Sequence, residues 1–381
     1  EYYLESNGVV YNPTSKDNAI LGYQYKVLSS SNNNSCLAIV MIDAVTGEVF
    51  CCYQRVNHEM ITLDQPALPY LSPLGQEGKA LVVDVYKNSD NDYALLDDNN
   101  YVQVYLHDRS DKVFDYTDIN ELAIYSYDPN KQTPDASAID ALHNFENVSK
   151  FYSDTFSREG LRNDGSYLPI YVGVNDYYSW NFQDNAAMCG GNQYMIIGTR
   201  TGGRAEYSAD IDVMGHEFTH GVIDTDSKIS ERAYDERAGQ DYYYSAQSGI
   251  HEGLADVFGE FAQDYSINGV LDNDTDWKND VRDMTNPSLN DYANYTEFST
   301  EGHEASFLVS YPVYLSAKTV PAPALAQLYY ELIPTLNGFS DFEEIRSTIE
   351  KSAAQKNASL AINGSSDPAK EINDASLEAI I

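Results

Sequence analysis

The segment IDVMGHEFTHGVI, residues 211–223, decides how this chain is read. Ile211, Val213, Met214, Phe218, Val222 and Ile223 surround its polar positions, the pattern of a largely buried internal helix. On such a helix His216 and His220, four residues apart, project from one face about 6 Å from each other. Both imidazoles can then reach one ion at about 2.0–2.1 Å. Glu217 lies one residue on, close enough to serve as general base toward a water in the ion's open position. Two core histidines satisfied by ordinary hydrogen bonds would show the same spacing, so the pair calls for a third ligand.

Candidates for that ligand lie downstream in GIHEGLADVFGEF, residues 249–261. Glu252 and Asp256 are four apart on one helical face, while Leu254, Val257, Phe258 and Phe261 are apolar. Glu252 as third ligand, with Asp256 orienting a ligand histidine, would complete a zinc site and its support. His251 is an alternative ligand, pointing about 100° away around the helix from Glu252. A solvated acidic face is the other reading of the Glu252–Asp256 spacing.

Outward from these helices the chain divides by period. Residues 21–54 read as strands, with Thr46-Gly47 as a turn between two runs. Residues 57–78 hold Pro66, Pro69 and Pro73 with little periodicity and read as a linker or long loop. The β pattern returns from about Lys79 to Leu106, with DNDYALLDDNN (90–100) as a turn-rich interruption. Ile139, Leu142, Phe145, Val148 and Tyr152 then recur at steps of three and four, predicting a helix over 136–158. YLPIYVGV and QYMIIGT read as strands. Further helices are predicted over 210–224, 249–266, 303–317, 322–336 and 340–356. A β-rich first part and an α-rich second part imply an α+β fold of two lobes.

Bulk properties narrow the function. In 381 residues, 23 Lys+Arg stand against 59 Asp+Glu, a net charge of −36. That charge repels nucleic acid and anionic membranes, so neither is an expected partner. No run approaches the 18 or so apolar residues of a membrane span. The opening EYYLESNGVV lacks the basic start and apolar stretch of a signal peptide, so an exported protein would have lost its signal ahead of this numbering. Cys36, Cys51 and Cys52 cluster and could include one disulfide across a hairpin, with Cys189 apart.

The pairing of HEFTH with IHEGLADVFG resembles the thermolysin family of zinc endopeptidases, in which a downstream glutamate on a second helix is the third ligand. The resemblance runs from about residue 68 to about residue 355. DNAAMCGGNQYMIIG (184–198) is similar to the family's substrate-binding edge strand, which implies backbone contacts from Asn185 and Ala186. VRDMTNP (281–287) resembles the segment whose arginine binds the substrate carbonyl, here Arg282. EGHEASFLVSYPVYL (301–315) resembles the family's His-x-x-Ser helix start, which makes His303 the transition-state-stabilising histidine. Asp212 and Asp256 match as well, and Tyr244 is the match for the tyrosine near the oxyanion. The resemblance implies peptide or protein substrates, an apolar residue preferred just after the cut in a pocket lined by Val213 and Val281, secretion, and a monomer.

Departures from the family pattern bear on the surroundings. SKISERAYDERAGQD (227–241) is inserted between His220 and Glu252 and would form a loop beside the cleft, which could gate a narrower peptidase. Asp212 and Asp276 match acidic calcium ligands, but Gln263 and Lys278 stand where carboxylates are expected, so zero or one calcium ion is expected. GTRTGG (198–203) replaces an acidic glycine-rich stretch. No aspartate precedes His303 at the family's spacing, which leaves Glu301 or Glu297 to orient it. LGYQYKVL followed by VMIDAVTGEVF resembles the PepSY-type end of a family propeptide. The expected division is 1–66 as propeptide end and linker, 67–225 as the β-rich catalytic lobe, and 226–381 as the α-helical lobe. The reading from a different class is a catalytically silent binding or adhesion protein on the same fold.

Overall fold

The computed structural model describes residues 2–13, 19–29, 36–46, 49–54, 59–61, 70–71, 80–81, 85–87, 93–97, 101–106, 136–177, 180–189, 194–201, 207–230, 245–271, 277–278, 282–297 and 299–363. Strands β1 (Tyr2–Pro13), β2 (Ala19–Ser29), β3 (Cys36–Asp43) and β4 (Val49–Gln54) form an antiparallel sheet in that order. β1 was not legible in its own residues. Its polar positions and Gly8 obscure any alternation, and the register shifts between Ser6 and Gly8. Pairing along β2, rather than local propensity, makes it a strand. The β3–β4 register sets Cys51 opposite Met41 and Cys52 opposite Val40.

The second sheet uses β5 (Glu59–Ile61), then, beyond the short β6–β7 ribbon (Tyr70–Leu71 with Ala80–Leu81), β8 (Val85–Lys87), β9 (Tyr93–Asp97) and β10 (Val102–Leu106). Helix α1 (Ala136–Phe156) follows, then β11 (Leu168–Val172), the ribbon of β12 (Asp176–Tyr177) and β13 (Trp180–Asn181), β14 (Ala186–Cys189) and β15 (Tyr194–Ile197). The sheet order is β14-β15-β11-β10-β9-β8-β5. The β10–β11 and β11–β15 pairs are parallel and the others antiparallel. Two sequence expectations change here. YALLD, inside the stretch read as an interruption, is strand β9, and its Leu95 is fully buried. The segment read as a linker contributes β5 and β6.

Helix α1 is the crossover that a parallel β10–β11 pair requires. Its Ile139, Leu142, Phe145, Val148 and Tyr152 are all buried. Helices α2 (Ile211–Asp226), α3 (Ala246–Asn268), α4 (Gly302–Ala305), α5 (Phe307–Ala317), α6 (Ala322–Leu332) and α7 (Phe342–Asn363) complete the described fold. The helix predicted over 303–317 is divided at Ser306, whose Oγ turns inward to 3.0 Å from Asp256 Oδ2 and 2.8 Å from the His303 carbonyl. The architecture is the two-lobed α+β arrangement expected of a thermolysin-like chain. Among the described residues no helix is long and apolar enough to cross a membrane.

Helices α2 and α3 touch through their backbones. A methyl group on Gly215 would lie 3.0 Å from Gly259 Cα, and one on Gly259 would lie 2.5 Å from the Asp212 carbonyl oxygen. Only glycine fits at this crossing. Arg158, just past α1 and buried, fixes the far end of α2. Its guanidinium reaches Asp226 at 2.5 and 3.2 Å and the Leu161 carbonyl at 2.5 and 3.1 Å.

Candidate metal centre and cleft

The close helix crossing brings His216 and His220 of α2 toward Glu252 of α3. The two Nε2 atoms are 3.0 Å apart. Glu252 Oε2 is 3.4 Å from His216 Nε2, and its Oε1 is 3.7 Å from His220 Nε2. One ligand atom from each of the three lies within 4.8 Å of the others, and this is the one such cluster among the described residues. Two imidazoles and a carboxylate are the donor set of a zinc site with an open position. Glu252 Oε2 is buried without a hydrogen-bond donor. A buried carboxylate oxygen in that condition costs free energy unless a cation faces it, so the residues present fit a metal ion.

Surrounding groups fix the donors. His216 Nδ1 is 3.0 Å from Asp256 Oδ1. Arg282 donates from Nε to both Asp256 oxygens at 2.8 Å and from Nη2 at 2.6 Å, and Ser306 Oγ completes the carboxylate's surroundings. The resemblance gave Arg282 a carbonyl of the substrate, whereas here its guanidinium lies against Asp256, with Nη2 also 3.4 Å from the His216 ring. His251 lies on the other side of His220, with their Nδ1 atoms 2.6 Å apart. It is not among the three converging donors.

Electrostatics follow from burial and from these partners. Burial opposes a charge on His216, yet the hydrogen-bonded Asp256 and the nearby Glu252 carboxylate outweigh it and push the imidazole up to about 10. Burial holds His220 well below the usual imidazole range. Burial alone would raise Glu252, but His220, His216 and His303 together hold it well below the usual carboxylate range. A cation arriving among the three would therefore compete with a proton at His216. Burial also pushes Glu217 up to about 7.

The centre opens into a cleft of about 470 Å³. Asn185, Ala186, Val213, Glu217, Arg282 and His303 line it together with the three donors. Edge strand β14 forms one wall, and the Met188 N–H donates to Glu217 Oε2 at 2.8 Å. His303, half-exposed at the rim, holds its Nε2 3.4 Å from Glu252 Oε2. Its Nδ1 is 2.7 Å from Glu301 Oε1, and its backbone N–H donates to Glu301 Oε2 at 2.9 Å. Of the two glutamates offered by the sequence, Glu301 is the one bonded to the ring. Tyr244, Val281 and Asp276 lie outside the described residues. Asp212 is buried at the start of α2, where its Oδ1 accepts from the Val213 N–H.

Sequence reasoning did not find Asp224, whose Oδ1 is 3.0 Å from His251 Nε2. The available signal was its spacing, four residues past His220 on the same helix.

Comparison with known proteins agrees with this geometry. Residues 75–224 match the thermolysin metallopeptidase catalytic domain. An extracellular elastase of Staphylococcus epidermidis is 26% identical over 266 residues, covering 63% of this chain and 49% of that protein. Neutral protease NprE of Bacillus pumilus is 26% identical over 249 residues, covering 61% and 74%. The chain thus spans about half the length of the elastase it matches. The solved precursor of protealysin, a metalloproteinase from Serratia proteamaculans, superposes with a TM-score of 0.54 at 18% identity, over 73% of this chain and 84% of that one. At that identity the likeness speaks for the fold. The chain is similar to the thermolysin family of metallopeptidases over residues 75–224, and its fold is like that of the protealysin precursor.

Proposed function

We propose that this chain is a zinc-dependent endopeptidase acting on peptide or protein substrates. The observation that carries the reading is the convergence of His216, His220 and Glu252 beside a buried Glu217 that is hydrogen-bonded to the edge strand. When bound by these three residues, the ion supplies Lewis acidity toward water and the scissile carbonyl.

Every other step falls to the chain itself. An extended peptide lies along β14, held by Asn185 and Ala186, with Arg282 at the cleft wall. Glu217, with a neutral-range pKa, takes the proton of the attacking water and delivers it to the leaving amine. His303, aimed by the contact of its Nδ1 with Glu301, presents Nε2 to the developing oxyanion. Tyr244 is a second donor in this reading. Val213 and Val281 line an apolar pocket for the residue after the cut.

The proposal extends to the surroundings. Residues 1–66 act as the end of a propeptide and its linker, ahead of lobes 67–225 and 226–381. The processed protein is a secreted monomer carrying at most one calcium ion near Asp212 and Asp276. The extracellular elastase among its relatives supports secretion. Digestion of a peptide library by the processed protein tests the reading. Cleavage before apolar residues, abolished by a chelator and restored by zinc, is the expected result, and no chelator-sensitive cleavage would overturn it.

A further inference from the structure

Ligand His220 is the first member of a directed chain of polar contacts. Its Nδ1 lies 2.6 Å from His251 Nδ1, and the two rings are near-parallel, with centroids 4.6 Å apart. His251 Nε2 lies 3.0 Å from Asp224 Oδ1, which also accepts the Ser230 hydroxyl at 2.6 Å. His251 is buried.

The protons in this chain can be assigned by elimination. His220 Nε2 is the nitrogen that faces the other donors, so as a ligand it must offer a lone pair. A neutral imidazole with a bare Nε2 carries its hydrogen on Nδ1, and that hydrogen points at His251 Nδ1. Two N–H groups cannot face each other at 2.6 Å, so His251 accepts there and carries its own hydrogen on Nε2. That hydrogen meets the Asp224 carboxylate, which accepts only. The opposite order would put a hydrogen on His220 Nε2 and block the metal.

We propose that His251 is a positioning residue that holds His220 in its metal-binding tautomer and orientation, with Asp224 as the acceptor that fixes His251 in turn. The inference rests on the zinc reading above. Ser230, the last described residue before 245, also ties the beginning of the inserted loop to this ligand.

The test is zinc affinity of the full chain, measured by competition with a chromogenic chelator, alongside the melting temperature of the metal-free forms. His251→Leu removes the acceptor and should weaken zinc binding about 10- to 100-fold. His251→Asn sets a carbonyl oxygen where Nδ1 stood and should restore affinity to within a few-fold of the parent. Affinity of His251→Leu within twofold of the parent, or His251→Asn binding as weakly as His251→Leu, would overturn the inference. A purely structural role would instead lower the metal-free melting temperature without that split. Nitrogen-15 NMR of the zinc-loaded parent gives a check that needs no variant. His251 should appear as the Nε2–H tautomer, and an Nδ1–H tautomer would overturn the assignment. A parent that takes up no zinc overturns the metal reading along with this one, whereas normal uptake by the parent and by His251→Leu overturns this one alone.

Discussion

Glu217 accepts the main-chain N–H of Met188 at 2.8 Å, so the proposed base is bonded to the strand along which a substrate would lie. The bond fixes the carboxylate but leaves it buried, and burial pushes it from 4.5 up to about 7.

That shift makes Glu217 costly to the fold. A carboxyl whose folded pKa is raised loses stability as pH climbs from its unfolded value to its folded one, here from 4.5 to about 7, and pays the full cost above that. A shift of this size corresponds to about 3 kcal/mol. Glu217→Gln should therefore abolish peptidase activity yet stabilise the metal-free protein at pH 8, with no gain at pH 4. Thermal melts at the two pH values check both parts. A variant no more stable at pH 8 would contradict the burial argument.

Metal uptake should be proton-linked. With His216 held up to about 10, a proton leaves as the ion enters throughout the neutral range. Zinc affinity should then fall steeply from pH 8 to pH 6, by about tenfold per unit for one displaced proton. Chelator competition at the two pH values measures it, and a flat profile would rule out the competing proton.

Asp256 is the counter-charge of a buried pair. Its carboxylate faces Arg282, His216 and Ser306 at once. Asp256→Asn leaves the Arg282 guanidinium without its partner charge, at a cost of about 3–5 kcal/mol. Denaturant unfolding of the metal-free protein should register it.

Arg158 is remote from the centre but holds the end of the helix that carries two ligands. Arg158→Met should lower stability by about 3 kcal/mol through loss of its contacts to Asp226. Activity measured well below the melting point should stay near that of the parent.

Gly259→Ala tests the crossing itself. Its methyl group would meet the Asp212 carbonyl at 2.5 Å, main chain that cannot swing aside. Overpacking of this kind costs about 1–3 kcal/mol. Because α2 must shift against α3, zinc affinity should drop with stability. Unchanged affinity would mean that the helices separate without moving the donors.

The helices were legible because each repeats an apolar face over several turns, as α1 does from Ile139 to Tyr152. The spacing of His216, His220, Glu252 and Asp256 also gave their shared faces directly. β1 and β9 were hidden because their strand character comes from neighbours in the sheet rather than from their own alternation. The His220–His251–Asp224 arrangement was hidden for a related reason. It depends on how two helices cross, and His251 by its position alone reads equally well as a competing ligand. Arg282 shows the same limit, since only the packing reveals how much of its guanidinium Asp256 occupies.

Glu301 spends its two carboxylate oxygens on one neighbour, Oε2 on the His303 backbone N–H and Oε1 on the imidazole Nδ1. The first of these bonds caps α4 and the second aims the ring. Turning the imidazole out of the cleft therefore breaks its bond to the residue that caps its own helix, and fraying of that turn loosens the ring at the same time. A substitution that only stiffens the Glu301–Ser306 turn would then act on how firmly the ring is aimed, without touching the ring itself.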